Sequence, residues 1–210
     1  MALNRRHRWR LPAGFAVCAI VLGGCFMLEE PSRSTPPTDE ETIALIDSMR
    51  DKGSYEDARE RLNASARAIA EQIVAAVPGQ SWQFSDDPNV QEVKRNGLPC
   101  KDLRLTGSVA LRPTADTVAF GRTFTSEEFA VAADIVRREA AKYGVTDESS
   151  LFDEQSRRDY AVQGNGYEFQ LMQINRARLN ITGDCFLMQR VLDLPPGQLP
   201  PKPPLTTTSR

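Results

Sequence analysis

A short apolar run that ends in the tetrapeptide LGGC at 22–25 limits which residues can take part in the fold. The tetrapeptide has the form of a lipobox, where a bacterial signal peptidase cuts and leaves a lipid-bearing cysteine as the new N-terminus. A basic segment, 5–10, precedes the apolar segment 11–22. Its length of about a dozen residues suits a signal peptide, whereas a membrane-spanning helix needs about 20. We therefore expect residues 1–24 to be a lipoprotein signal peptide and Cys25 to carry lipid.

An uncleaved signal anchor and twin-arginine export are two other interpretations of this N-terminus. An uncleaved signal anchor would leave Cys25 unmodified, but Pro12 and Gly14 weaken a spanning helix. The arginine pair at 5–6 suggests twin-arginine export, although Arg8 stands where that signal has apolar residues. Ordinary secretion followed by lipidation explains the segment better. It predicts a chain anchored by lipid to the outer, extracytoplasmic face of the cell membrane.

The mature chain is acidic. Cleavage before Cys25 removes four arginines and no acidic residue, which leaves 22 basic and 28 acidic side chains and a net charge of −6. Because an acidic domain is repelled by an anionic membrane face, the attachment must come from the lipid. The basic surface of nucleic-acid-binding proteins is missing from this composition. The expected partners are the membrane, through the lipid, and an envelope protein or lipid, but no nucleic acid.

The cysteines predict one structural disulfide. Cys18 leaves with the signal peptide and Cys25 takes the lipid, so Cys100 and Cys185 remain in an exported compartment that permits disulfides. A bond between them would close a loop of about 85 residues and stabilise the domain by roughly 4–5 kcal/mol. A redox-active dithiol and a metal site are the alternatives, and both typically use closer spacing such as C-x-x-C.

Composition divides the mature chain into a tether, a domain and a tail. Residues 25–38 are rich in Pro, Ser and Thr and predict a flexible tether. Residues 39–194 predict a single two-layer α+β domain, with helices packed on a mainly antiparallel β-sheet. Residues 195–210 (PPGQLPPKPPLTTTSR) have no means of building a core, so we expect an exposed, largely disordered Pro-rich tail.

Capping residues and periodicity place the elements of this domain. Three helices are predicted after the caps Thr38, Ser54 and Thr125, ending at Gly53, at Pro78-Gly79 and at Gly144. Strands are predicted around Trp82 and Phe84, within 103–111, and at 117–120, 151–152, 159–163, 167–174, 178–182 and 185–188. Residues 164–166 (GNG) predict a tight hairpin turn, and 86–89 (DDPN) a turn.

The sequence offers little catalytic chemistry. His7 is the only histidine and is removed with the signal peptide, which leaves no Ser-His-Asp, Cys-His or common zinc site. Paired carboxylates remain at 86–87, 147–148 and 153–154, each at a predicted turn or element end. Neighbouring residues on a strand also point to opposite faces. We expect no enzyme activity, no catalytic residue, no metal and no cofactor.

Aromatic side chains could instead line a ligand pocket between the sheet and the helix that follows Thr125. Aromatics at strand and helix spacing more often form plain core, which is the interpretation we favour. The residues concerned are Trp82, Phe84, Tyr143, Phe152, Tyr160, Tyr167 and Phe169.

Four segments carry a resemblance to a known family. They are 46–62 (IDSMRDKGSYEDARERL), 157–169 (RRDYAVQGNGYEF), 179–187 (LNITGDCFL) and 191–201 (VLDLPPGQLPP). The sequence of these segments resembles the LppA family of mycobacterial lipoproteins, and the resemblance extends over nearly the whole mature chain. The resemblance implies a lipid-anchored envelope protein of α+β type, associated with pathogenic mycobacteria, whose lipidated residue corresponds to Cys25. The resemblance implies no catalytic residues.

Three hypotheses of function follow. The first is a non-catalytic binding or interaction module on the lipid anchor. The second is a carrier for a lipid or another apolar envelope molecule, which would need a cavity of several hundred Å³ under the sheet. The third is a hydrolase that uses carboxylates alone, which would require the acidic clusters to share one surface.

Overall fold

The helices and strands form two layers, in a computed structural model that describes residues 37–100, 105, 108–154 and 157–201. The helices are α1 (Asp39–Met49), α2 (Tyr55–Ala76), α3 (Pro88–Asn96), α4 (Ser126–Ala141) and α5 (Gln189–Leu192). The strands are β1 (Trp82–Phe84), β2 (Leu98–Pro99), β3 (Ala110–Arg112), β4 (Val118–Phe120), β5 (Asp147–Ser149), β6 (Arg158–Gly164), β7 (Tyr167–Gln173), β8 (Ala177–Thr182) and β9 (Phe186–Leu187). The predicted two-layer α+β class is confirmed.

Side-chain caps fix where the long helices begin. Thr38 and Thr125 each accept a hydrogen bond from a backbone N–H three residues on, and Glu41 and Glu128 reach back to the cap residues. Arg122 donates to both carboxylate oxygens of Glu128 at 2.7 Å. These bonds, together with the one from the Thr125 N–H, lower the pKa of Glu128 to about 2. The predicted capping boxes are confirmed.

Six strands form an antiparallel sheet in the order β1-β4-β8-β7-β6-β5. The hairpin between β6 and β7 turns at the predicted residues, where Asn165 has φ of 50° and Gly166 has φ of 80°. A Cβ atom added to Gly166 would lie 2.6 Å from Asp184 Oδ1, so this position needs glycine for space as well as for backbone conformation.

One face of this sheet packs against α2 and α4 and forms the main core. Side chains alternate along a strand, so Phe169 and Leu171 of β7 point inward together with Leu179 and Ile181 of β8. All four are fully buried. At the end of β7, the buried Gln173 accepts from the backbone N–H of Phe124 at 2.6 Å and donates to its carbonyl at 3.2 Å. This amide holds the segment that leads into α4.

A second, smaller sheet carries the disulfide. Strands β2, β3 and β9 pair antiparallel in that order beside α1. Cys100 follows β2 and Cys185 precedes β9, and the two are bonded with Cα atoms 5.8 Å apart. The sulfurs join a second apolar cluster that includes Ile46, Leu187 and Val191. The predicted disulfide is confirmed, and it ties the middle of the chain to its C-terminal part.

Several local predictions were wrong. Residues 86–89 form no simple turn, because Asp87 caps α3 through the N–H groups of residues 89 and 90, with Pro88 in the first helical turn. The strand expected at 151–152 lies earlier, as β5, and α5 was not predicted. Of the alternating segment 103–111, only 105 and 108–111 are described, and β3 begins at Ala110.

The first part of the predicted tail lies against α1. Arg50, just after α1, donates to the carbonyls of Leu192, Leu194 and Pro195 at 2.9–3.3 Å. The N–H of Gly197 donates to Asp47 Oδ2 at 3.0 Å. These charged hydrogen bonds hold the segment up to Gly197, and Leu199 packs against the second apolar cluster. Residues 202–210 lie outside the described part of the chain.

Candidate binding groove on the outer face of the sheet

The face of the large sheet turned away from α2 and α4 carries a groove. Because inward and outward side chains alternate, Met172 of β7 and Arg178 and Asn180 of β8 point to this outer face. Helix α3 lies across one end of it. Thr114 Oγ1 donates to the carbonyl of Lys94 at 2.9 Å and so holds the helix in place.

The groove lies between α3 and strands β7 and β8. Its volume is about 350 Å³, within the range of small-molecule sites. A second hollow of about 320 Å³ shares Met172 and Arg178 with it and extends along the β7–β8 turn. The lining residues of the first hollow are Asn89, Val90, Val93, Lys94, Thr117, Met172, Arg178 and Asn180. We call the two hollows together the outer groove.

The charges of the outer groove contrast with those of the whole chain. Its described lining contains the cations Lys94, Arg176 and Arg178 and no carboxylate. Residues 25–210 together carry a net charge of −6. Val93 is 59% exposed, so an apolar side chain faces solvent beside these cations. The groove therefore combines apolar surface with local positive charge.

Lys94 is the half-buried cation of this groove. Its Nζ donates to Asn180 Oδ1 at 3.1 Å, and the same oxygen accepts from Thr117 Oγ1 at 2.9 Å. Within the described chain, no carboxylate lies within ion-pair distance of Lys94. Burial lowers the pKa of Lys94, and the more distant charge of Asp116 opposes this only in part.

A larger hollow of about 540 Å³ lies beside the disulfide, but its polar groups are already engaged. Arg112 donates to the carbonyls of Gly166 and Gly183, and Asp184 accepts from Lys52 at 2.6 Å. Because Arg112 and Asp184 already have hydrogen-bond partners within the protein, this hollow offers fewer free polar groups to a ligand than the outer groove does.

The acidic cluster at 86–87 lies far from the one at 147–148. Asp87 caps α3 just after β1, whereas Asp147 and Glu148 lie on β5, and these two strands are the opposite edges of the large sheet. Five strand spacings separate them, roughly 24 Å. Asp153 pairs with Arg158 at the start of β6. The clusters at 86–87 and 147–148 therefore do not form a shared acid–base site.

The aromatic residues are core. Phe169 is fully buried, and five others are partly buried against the main core: Trp82, Phe84, Tyr143, Tyr160 and Tyr167. Phe152 differs, because the guanidinium of Arg157 lies over its ring at 4.9 Å. The space between sheet and helices, where a carrier would need its cavity, is occupied by the six aromatic side chains of the main core.

The sequence does not predict the outer groove, because residues 86–89 predict a turn and no helix is predicted for the rest of α3. The available signal was Asp87-Pro88, an N-cap followed by proline at the first helical position. Cys25, the predicted lipidation site, lies outside the described residues. Among the described residues, no cluster of three His, Cys, Asp or Glu side chains could hold a metal ion. None of their helices combines the length and apolarity needed to cross a membrane.

Comparison with known proteins agrees with this description. The LppA family profile, described as a lipoprotein confined to pathogenic Mycobacterium, matches residues 30–189. LppA and LppB of Mycobacterium tuberculosis strain ATCC 25618 / H37Rv, both named as lipoproteins, are 58% and 57% identical to this chain over 205 residues. These matches cover 96% of this chain and 93% and 92% of the relatives.

A solved structure shares the fold. The crystal structure of LppA from Mycobacterium tuberculosis superposes with a TM-score of 0.75 at 65% sequence identity. The match covers 77% of this chain and 95% of the solved chain. The chain therefore belongs to the LppA family of mycobacterial lipoproteins.

Proposed function

We propose that this lipoprotein is a non-catalytic binding module of the mycobacterial envelope and that the outer groove is its binding site. In this proposal the signal peptide 1–24 is removed and lipid on Cys25 holds the domain at the outer face of the cell membrane. A diacylglyceryl group supplies more than one hydrocarbon chain, which is what stable anchoring requires. Membrane association itself follows from the family.

The observation that carries the proposal is the composition of the outer groove. Val90, Val93 and Met172 offer apolar contact, while Lys94 and Arg178 supply positive charge without a described carboxylate in the lining. Ligand sites in proteins are typically concave and mostly apolar, with a few polar groups that orient the ligand. A surface of this kind on an acidic protein is better explained by a ligand than by solubility.

The chemistry of the chain supports binding over catalysis. Histidine is missing from the sequence after His7, and both described cysteines are bonded to each other. The acidic pairs at 86–87 and 147–148 lie at opposite edges of the large sheet. Hydrolysis by carboxylates alone needs two of them within a few ångströms of one substrate bond.

A second candidate function is the carrier role, in which the module transfers a lipid or another apolar envelope molecule. The filled space under the sheet argues against an internal cavity there. The observation in favour of this role is the apolar wall of the outer groove, which would receive such a molecule on the opposite face.

A photocrosslinking experiment tests the binding site in cells. The full-length lipoprotein is expressed in a mycobacterium with p-benzoylphenylalanine in place of Val93, in the groove, or of Val131. Val131 is a matched control, since it is a 44% exposed valine on α4, the helix that covers the other face of the sheet. We expect a discrete adduct by mass spectrometry at position 93 only. Equal labelling at both positions, or none at 93, would contradict the proposal.

The anchor is tested with Cys25→Ala. Without the acceptor cysteine we expect either a retained signal peptide or release into the soluble fraction, because the acidic domain has no electrostatic affinity for an anionic membrane. Fractionation and intact mass measure this. Normal processing together with unchanged membrane retention would show that the lipobox interpretation is wrong.

A further inference from the structure

The outer groove contains a positive charge that the described protein does not neutralise. Lys94 is half-buried, and its Nζ contacts an amide oxygen, that of Asn180, at 3.1 Å. Buried charges in proteins are normally paired, because removing an ion from water is costly. The lowered pKa of Lys94 reflects that cost. The ammonium group is therefore in a place where an incoming anion would be favoured.

Asp116, the acidic residue whose charge acts on Lys94, is already hydrogen-bonded to other residues. Asp116 accepts from Arg59 at 2.5 Å and from the amide of Asn63 at 3.3 Å, and its own backbone N–H donates to Asn63 at 2.7 Å. The other polar neighbours of the Lys94 ammonium, Asn180 and Thr117, are neutral. Of the three cations of the groove, Lys94 is the half-buried one, and its single charge balances one negative charge; Arg176 and Arg178 are exposed to solvent.

The surface beside Lys94 suits a hydrocarbon chain. Val90 and Val93 of α3 face Met172 across the groove, and Met172 also lines the continuing hollow, which includes Ile174. The second hollow adds about 320 Å³ to the first. A flexible aliphatic chain can follow such a path, and the thioether of methionine adapts to it.

On the assumption that the outer groove is the binding site proposed above, we propose that its ligand is an aliphatic carboxylic acid of fatty-acid type. The carboxylate binds the ammonium group of Lys94, next to Asn180 and Thr117, and the hydrocarbon chain lies along Val93 and Met172. Arg178 is exposed and stays hydrated at the rim, where it attracts the anion.

The binding test uses the domain 36–210, free of the lipid anchor. Every described helix and strand lies in this unit, and a relative that matches 77% of this chain has been crystallised. Three probes with ten carbon atoms each are titrated below their aggregation limits by NMR: decanoate, decanol and decyl phosphate. Decanoate should bind about tenfold more tightly than decanol, as expected for a charge-assisted hydrogen bond. Amide shifts should change along α3 and β8.

Three variants separate charge from shape. Lys94→Met keeps an unbranched apolar side chain and should remove the preference for decanoate over decanol, whereas Lys94→Arg should retain it. Arg138→Gln is the control, because it removes the same charge from the exposed face of α4, where Asp134 keeps a second partner in Arg137. It should bind like the wild type. Unchanged amide shifts in α2, and also in α4 for the two Lys94 variants, verify that each variant is folded.

The outcomes distinguish the two proposals. Equal affinity for decanoate and decanol, tighter binding of decyl phosphate than of decanoate, or an unchanged preference in Lys94→Met would overturn the carboxylic acid inference and leave the groove as a binding site. If no probe binds but Val93 gives an adduct in cells, the carboxylic acid inference is overturned and the binding-site proposal stands. If Val93 gives no adduct and no probe shifts α3 or β8, both proposals fail.

Discussion

Removal of the Cys100–Cys185 bond tests how the smaller sheet is held. The double variant Cys100→Ala/Cys185→Ala keeps both positions apolar, which suits residues that are 1% and 9% exposed. The bond closes a loop of 85 residues. The chain-entropy relation then gives a loss of about 4.5 kcal/mol in the free energy of unfolding at 25 °C. For a domain of this size that corresponds to a fall in Tm of roughly 9–18 °C.

The assay is urea unfolding followed by circular dichroism, with hydrogen exchange to locate the effect. Amides of β3 and β9 should lose protection first, because α1 and the smaller sheet depend on the bond, while β7 and β8 sit in the main core. Adding a reductant to the wild type should reproduce the loss, and adding it to the double variant should change nothing. A loss under about 1 kcal/mol, or equal exchange in both sheets, would refute this reasoning.

Three other predictions concern single side chains. Gln173→Leu should lower the free energy of unfolding by about 3 kcal/mol in urea titrations, since the buried N–H and carbonyl of Phe124 lose their partner; a loss close to zero would contradict this role. Gly166→Ala should reduce Tm clearly, because its φ is +80° and the new Cβ would lie 2.6 Å from Asp184 Oδ1; an unchanged melting curve would show that the hairpin adapts. The pKa of Glu128 is about 2 in the folded chain and 4.5 when unperturbed. Its contribution to stability is therefore complete above the higher value and is lost as pH falls towards the lower one. Glu128→Gln should flatten this part of the stability–pH curve, and an unaltered slope would assign the acid sensitivity to other groups.

Local signals made most of the fold predictable. The capping boxes at Thr38 and Thr125 and the hairpin residues around Asn165 act within a few positions of sequence, so the sequence displays them directly. The disulfide followed from the number of cysteines and the compartment. The long strands β6, β7 and β8 show clear alternation because one of their faces is buried.

The remaining elements could not be predicted, for two physical reasons. Helix α3 buries no residue, so it lacks the apolar stripe that reveals longer helices. Strands β2 and β9 have two residues each, too few to establish a period. The outer groove forms where Lys94 meets Asn180, 86 positions later in the chain. Only tertiary structure brings such residues together, and local sequence patterns contain no trace of it.

The contacts between α1 and the C-terminal segment also determine how the domain would bear mechanical load. Helix α1 is the first described helix, so in the proposed anchored form a pull on Cys25 would reach this helix before the sheets. Arg50, just after α1, donates hydrogen bonds to three carbonyls between Leu192 and Pro195, and Asp47 accepts one from the N–H of Gly197. Separation of α1 from the C-terminal segment would therefore break these hydrogen bonds. Beyond them, the covalent link between Cys100 and Cys185 limits how far the smaller sheet can open. In the proposed anchored form, residues 192–197 and the disulfide would thus resist the opening of α1 and the smaller sheet by tension.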